Sequence, residues 1–179
     1  MANHVRSRVE LESNCKEIHN YIQNFDESCT GINNSDSCDN TCKIVFGKDW
    51  KYDINKIGSK WIFVETRGNW NISNEGPDIT DELVFCSAWD FPVDFFEYLN
   101  KELLKISEEF EMVVIVEEES GAFVGGAVGN KFGFEYNQND DIEPIDWDSN
   151  DNEYRNEYWD KIDKAKIQCV SHARETLGV

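Results

Sequence analysis

"EEESGAFVGGAVGNKFGFEY", residues 117–136, sets five glycines directly behind three consecutive glutamates, and its reading decides the fold. A Walker-type phosphate loop needs Lys followed by Ser or Thr directly after its last glycine, so that ammonium and hydroxyl reach phosphate and metal. Here the stretch runs Gly129-Asn130-Lys131-Phe132, with no hydroxyl. The dinucleotide pattern Gly-x-Gly-x-x-Gly is absent, and Glu117, Glu118 and Glu119 would repel phosphate. The flanks "FVGGAV" and "KFGFEY" instead read as paired strands. Gly129 and Asn130 between them tolerate the positive φ of a two-residue turn. The glycines therefore predict a β-hairpin.

Working outward, "HVRSRVEL" (4–11) alternates Val5, Ser7, Val9 and Leu11 against His4, Arg6, Arg8 and Glu10, a half-buried strand. Ser13 and Asn14 offer helix caps, and Ile18, Tyr21, Ile22 and Phe25 follow at helical spacing. The polar stretch "DESCTGINNSDSCDNTC" (26–42) reads as an exposed loop, the first part of an insertion over 26–56. In that insertion "KIVF" suggests a short strand, and "DWKYDINKIGSK" is irregular. "WIFVET" (61–66) and "ELVFCSAW" (82–89) are strands dense in aromatic and β-branched side chains, separated by the turn chemistry of "GNWNISNEGPD". After Pro92, a residue tolerated in a first helical turn, Phe95, Leu99, Leu103, Ile106 and Phe110 form one apolar stripe. "MVVIVEE" is the next strand. The order β, α, β, β, α, β predicts an α+β fold of ferredoxin-like type, with two helices on one face of an antiparallel sheet. The hairpin of 117–136 is an addition to it. A C-terminal helix is marked by Tyr154, Tyr158, Ile162, Ala165 and Cys169. This divides the chain into a ferredoxin-like domain at 1–136 and an acidic linker with a terminal helix at 137–179.

Three motifs occur in order: "GSKWIFVE" (58–65), "FCSAWDFP" (85–92) and "VIVEEESGAFVGG" (114–126). In these the chain resembles the YubB-type ferredoxin-like proteins of phages and plasmids over roughly residues 1–136. The resemblance implies the ferredoxin-like fold and a mobile-element origin. It carries over no activity and no catalytic residue.

Candidate chemistry is sparse. Cys38-x₃-Cys42 has the spacing of half a zinc site, with Cys29 and His19 upstream, but no second close pair follows. Free thiols in a surface loop are the reading these residues support, and no metal or cofactor is expected. Cys86 and Cys169 fall on apolar stripes and read as small core residues. His4, His19 and His172 have no nucleophile motif beside them, so no catalytic residue is assigned. Trp61 and Trp89 read as core or sheet-face packing. "KFGFEY" only faintly echoes the aromatic RNA-binding signature of ferredoxin-like sheets.

Charge is the strongest compositional signal: 36 acidic against 17 basic residues, net −19. Residues 1–60 hold nine acids and eight bases, so nearly all the excess lies after residue 60. Such a surface disfavours direct contact with phosphate backbones and suits a partner with a basic surface. Ten acids fall between 139 and 163, interleaved with Trp147, Tyr154, Tyr158 and Trp159. Aromatic anchors in a charged rim suit a protein-binding surface. The contact residues expected are Asp146, Trp147, Asp148, Glu153, Tyr154, Glu157, Tyr158, Trp159 and Asp160, together with Glu117, Glu118 and Glu119. With no apolar run of about 18 residues and no signal-peptide core, the chain is expected in the cytoplasm of a host cell, off the membrane and with reduced thiols. The function expected is a non-enzymatic, acidic interaction protein. It would inhibit a host nucleic-acid-binding protein, such as a defence nuclease or CRISPR-type effector, by nucleic-acid mimicry. The alternatives are a metal-binding domain or small enzyme built on Cys29, Cys38 and Cys42, or a self-associating subunit such as a homodimer.

Overall fold

Strict alternation in β1 (His4–Ser13) buries Val5, Ser7, Val9, Leu11 and Ser13, while His4, Arg6, Arg8 and Glu12 stay exposed. A computed structural model describes residues 3–29, 31–67, 79–142 and 152–179 of the chain. After β1 come α1 (Lys16–Cys29), α2 (Asn34–Phe46), α3 (Ile54–Ile57), β2 (Ile62–Arg67), β3 (Ile79–Ala88) and α4 (Val93–Ile106). Then follow β4 (Phe110–Glu118), β5 (Val124–Asn130), β6 (Gly133–Asn139) and α5 (Asn152–Leu177). The strands make one open, fully antiparallel six-stranded sheet in the order β2-β3-β1-β4-β5-β6. The fold is α+β.

Two helix layers sandwich that sheet. The main core joins Val9 and Leu11 of β1, Ile18, Ile22 and Phe25 of α1, Cys42 and Val45 of α2, and Phe95, Leu99 and Leu103 of α4. From β4 it takes Val114 and Val116, whereas Val113 and Ile115 pack with Val170, Ala173 and Leu177 of α5. Alternate side chains of one strand point to opposite faces, so α5 lies across the sheet from α1, α2 and α4. Phe25, Phe85, Phe95 and Phe96 are fully buried. Truncating any of them to Ala costs about 3–5 kcal/mol. Among the described residues, no helix is long and apolar enough to cross a membrane.

Four expectations need correction. The stretch 26–56, expected as an exposed loop, holds the end of α1, all of α2 and most of α3. Asn33 caps α2 by accepting from the Asp36 N–H at 3.0 Å, and Asp53 caps α3 by accepting from the Asn55 N–H at 3.1 Å. Ser37, Thr41, Cys42 and Val45 form the buried face of α2. Their spacing is helical, but small hydroxyls and thiols do not register as an apolar stripe. "KIVF" is the last turn of α2, not a strand.

The predicted hairpin is β5–β6, but its turn is Lys131–Phe132, closed by the pair Asn130 and Gly133. Asn130 Oδ1 accepts from the Phe132 N–H at 2.8 Å, a local bond that favours this turn. Gly129 remains in the strand because it faces a crowd. A Cβ there would lie 2.6 Å from Asn100 Oδ1 and 2.8 Å from Met112 Cε. Phe110, the last residue of the apolar stripe, begins β4 and lies outside α4. β6 runs to Asn139, and α5 packs on β5, β6 and β4.

Candidate functional site

The helix α5 carries five acidic and five basic residues, unevenly placed. Glu153, Glu157, Asp160 and Asp163 occupy its first half, with Glu153 in the first turn, where the positive end of the helix dipole favours a carboxylate. The second half is tied to the sheet. Lys166 Nζ donates to Glu117 Oε2 at 2.7 Å, and Arg174 pairs with Glu111. Val170 and Ala173 pack on Val128, while nearer the start Tyr158 and Ile162 pack on Val124. Both halves are thus held to the sheet, and the exposed side of the first half presents the carboxylates.

The four carboxylates are all exposed, as are Tyr154 and Trp159, the latter at 40%. Between this half of α5 and the end of β6 lies a cavity of about 450 Å³, with Asn139, Asp141, Ile142, Tyr154, Glu157 and Lys161 in its wall. Two expected contact residues are not surface groups. Tyr158 is 8% exposed, because its position on the helix turns it onto Val124, and that burial raises its pKa. Glu118 is buried: its Oε2 accepts from the Ser120 N–H at 2.9 Å, the Ala122 N–H at 3.1 Å and the Ser120 hydroxyl, capping the turn after β4. Glu117 is engaged by Lys166, and Glu119 lies 3.7 Å from His4 Nδ1. Asp146, Trp147 and Asp148 lie outside the described residues.

A second concavity, unforeseen in the sequence, opens along the free edge of β2. It encloses about 810 Å³ between Trp50, Tyr52, Trp61, Phe63, His4 and Lys60 on one side and Asp36, Cys38 and Asp39 of α2 on the other. Trp61 stacks on Phe63 at 5.3 Å and meets the His4 ring edge-on at the same distance. Nearby, Trp89 departs from the packing role expected of it. It is 51% exposed and holds φ at 69°, with Lys60 Nζ 5.1 Å above its ring. The signal that could have located this groove was the clustering of Trp50, Tyr52, Trp61 and Phe63 around a segment read as irregular.

The cysteines fall into two groups. Cys86 and Cys169 are buried as expected, and burial pushes the Cys86 thiol up to about 12. Cys29 and Cys42 are buried on α1 and α2, with Thr41 Oγ1 donating to Cys29 Sγ at 3.4 Å, so neither is a surface-loop thiol. Cys38 is half-buried in the wall of the groove. Its thiol is lowered to about 7, first by a hydrogen bond from Cys42 and then by one from the Ile62 N–H. The same contact, with burial, pushes Cys42 strongly up. Among the described residues, no three His, Cys, Asp or Glu side chains gather as a metal site. No protein-family model, curated protein or solved structure matches the chain, so the reading of function rests on these two sites.

Proposed function

We propose that the chain is a non-enzymatic, acidic interaction protein of phage or other mobile-element origin. Its contact surface is the exposed, carboxylate-bearing face of the first half of α5, and its partner is a host protein with a basic surface. The observation that carries this is the division of α5. Lys166 and Arg174 fix one half to β4, while Glu153, Glu157, Asp160 and Asp163 stand exposed on successive turns of the other, beside Tyr154 and Trp159. Carboxylates at this spacing offer a row of negative charge to a cationic groove, and the two rings supply anchors of the kind that dominate binding energy. The adjoining 450 Å³ cavity is wide enough to receive a partner side chain. A groove built to hold nucleic acid fits that description, so a defence nuclease or CRISPR-type effector is the class of target we favour, with occlusion as the mode of inhibition. The order β2-β3-β1-β4, with α1 and α4 on one face, supports reading the first four strands as a ferredoxin-like core. The β5–β6 hairpin and α5 are additions to it.

The test is capture from host lysate followed by affinity measurement on the captured protein. Replacing Glu153, Glu157 and Asp160 together by Lys is expected to weaken binding at least tenfold, mostly through slower association, and to flatten its salt dependence. Unchanged capture by the folded triple variant removes α5 as the contact.

A further inference from the structure

The two edges of the sheet are unequal. At the β2 edge a bulge between Val64 and Thr66 breaks the register, and Ser37 Oγ of α2 donates to Val64 O at 3.5 Å. Bulges and covering elements are common means of keeping an edge strand from pairing with another chain. β6, at the opposite edge, has neither. Its seven residues pair with β5 in unbroken register, with no proline or lysine among them. The two-residue turn makes Asn130 and Gly133 a hydrogen-bonded pair, so by alternation Glu135, Asn137 and Asn139 also turn their backbone groups to β5. The N–H and C=O groups of Phe134, Tyr136 and Gln138 therefore face outward. Among the described residues none of these groups has a hydrogen-bond partner.

This edge is complementary to itself. A twofold axis at Tyr136 sets Phe134 opposite Gln138 of a second, antiparallel copy, Tyr136 opposite its own counterpart, and Gln138 opposite Phe134. These pairs use every outward N–H and C=O of both strands. An axis at Glu135 would instead oppose the two Glu135 carboxylates, which is unfavourable. The register about Tyr136 also carries Lys131, in the turn, toward Asp141, just past the end of β6. Both are exposed, and among the described residues neither has an ion pair. Within one chain they lie at opposite ends of the strand, about 30 Å apart, so an antiparallel second copy is what brings them together. A cleft of about 400 Å³ opens at that end, between Asn137, Asn139, Asp140 and Asp141 on one side and Gln168 and His172 of α5 on the other, with room for the incoming ammonium.

We propose that β6 pairs with β6 of a second copy of this chain, antiparallel about Tyr136, joining two sheets into one. The interface is isologous: each Lys131 meets Asp141 of the other copy, and each Glu135 lies beside Asn137 of the other. On the α4 face, Phe134 and Tyr136, which stack on Phe91 of their own copy, meet Gln138 and Tyr136 of the other. The seam uses β6 and its flanks rather than the carboxylates of α5, so it stands or falls independently of the partner proposed above.

The test is sedimentation of the full-length chain from about 1 to 200 µM at about 0.15 M salt, where exposed charges more than about 8 Å apart are largely screened. A dimer is expected within that range. Lys131→Glu sets like charges together at both ends of the seam and is expected to weaken dimerisation about tenfold or more. Adding Asp141→Lys restores the pair with its signs reversed and is expected to bring the constant back to within about threefold of wild type. Gln138→Pro removes an outward N–H that its own chain does not use, so β6 stays paired with β5 while the dimer is lost. Amide exchange reads the register: Phe134, Tyr136 and Gln138 should exchange more slowly in the dimer than in the dilute monomer, while Glu135 and Asn137 change little. A monomer throughout the range leaves this edge to a strand of another protein and overturns the proposal. So does a dimer that Lys131→Glu does not weaken, or one in which those three amides exchange as fast as in the monomer.

Discussion

Lys166 Nζ lies 2.7 Å from Glu117 Oε2, joining α5 to β4 across the outer face of the sheet. The lysine is 13% exposed and the glutamate much more open. The two partners are therefore unequal when removed. Glu117→Gln leaves the shielded ammonium only the longer contact to Asp163 Oδ1, at 3.5 Å, and is expected to lower stability by about 1 kcal/mol in urea unfolding. Lys166→Met leaves only a partly solvated carboxylate and keeps the packing of the stem, so it is expected to lose less. The reverse ranking would mean that the bond contributes little.

Gly126 faces the other end of the same contact. A Cβ there would lie 2.6 Å from both Cγ2 and the backbone N of Val170, and 3.1 Å from the carbonyl carbon of Cys169. Two of those atoms are backbone, so α5 must shift as a body. Gly126→Ala is expected to cost about 1–3 kcal/mol. Hydrogen exchange should speed up selectively along α5, leaving α1 and α4 protected.

Trp89 offers the opposite sign. A non-glycine residue in the left-handed region costs about 1–2 kcal/mol, and this indole is half exposed with φ at 69°. Trp89→Gly relieves that strain and forfeits the contact with Lys60 Nζ, worth about 0.5–1 kcal/mol at an exposed site. The net expectation is a thermal midpoint unchanged or raised by a few degrees. A marked fall would show that packing of the indole outweighs the strain.

The thiol of Cys38 should reveal itself by its pH profile. Its hydrogen bonds from Cys42 and Ile62 act against burial and the charge of Asp39, and the groove also places Asp36, His4 and Lys60 around it. The balance sets the thiol at about 7, below an ordinary cysteine. Alkylation by neutral iodoacetamide is therefore expected to rise through pH 7 and level off by pH 8, where an unfolded thiol is still climbing. Conversion of Cys42 to Ala removes the S–H donor and should move the midpoint upward.

Much of the architecture was legible because periodicity is a property of one element at a time. The alternation of Val5 to Ser13 and the stripe Phe95, Leu99, Leu103 each record burial against a single flat partner. The second helix escaped because its buried face is Ser37, Thr41, Cys42 and Val45, residues chosen for close approach to β2 and α1. The hairpin turn slipped by two residues for a related reason. Gly129 reads as turn chemistry, yet it serves the packing of Asn100 and Met112 within the strand. On α5, the exposed row Glu153, Glu157, Asp160 was legible in spacing. The burial of Tyr158 and Glu118 was not, since both depend on which neighbour the fold brings across.

β5 is buried along its whole length, bare of side chains at Gly126 toward α5 and at Gly129 toward α4. α5 thus reaches the β5 backbone at Gly126, and Asn100 of α4 reaches it from the other side three residues further on, at Gly129. A pull on the outer helix by anything that grips it has no cushion of flexible side chains to absorb it. The displacement runs along the β5 backbone from Gly126 to Gly129 and so toward Asn100, whose amide holds Asn130 O and Gly133 O at the hairpin's tip.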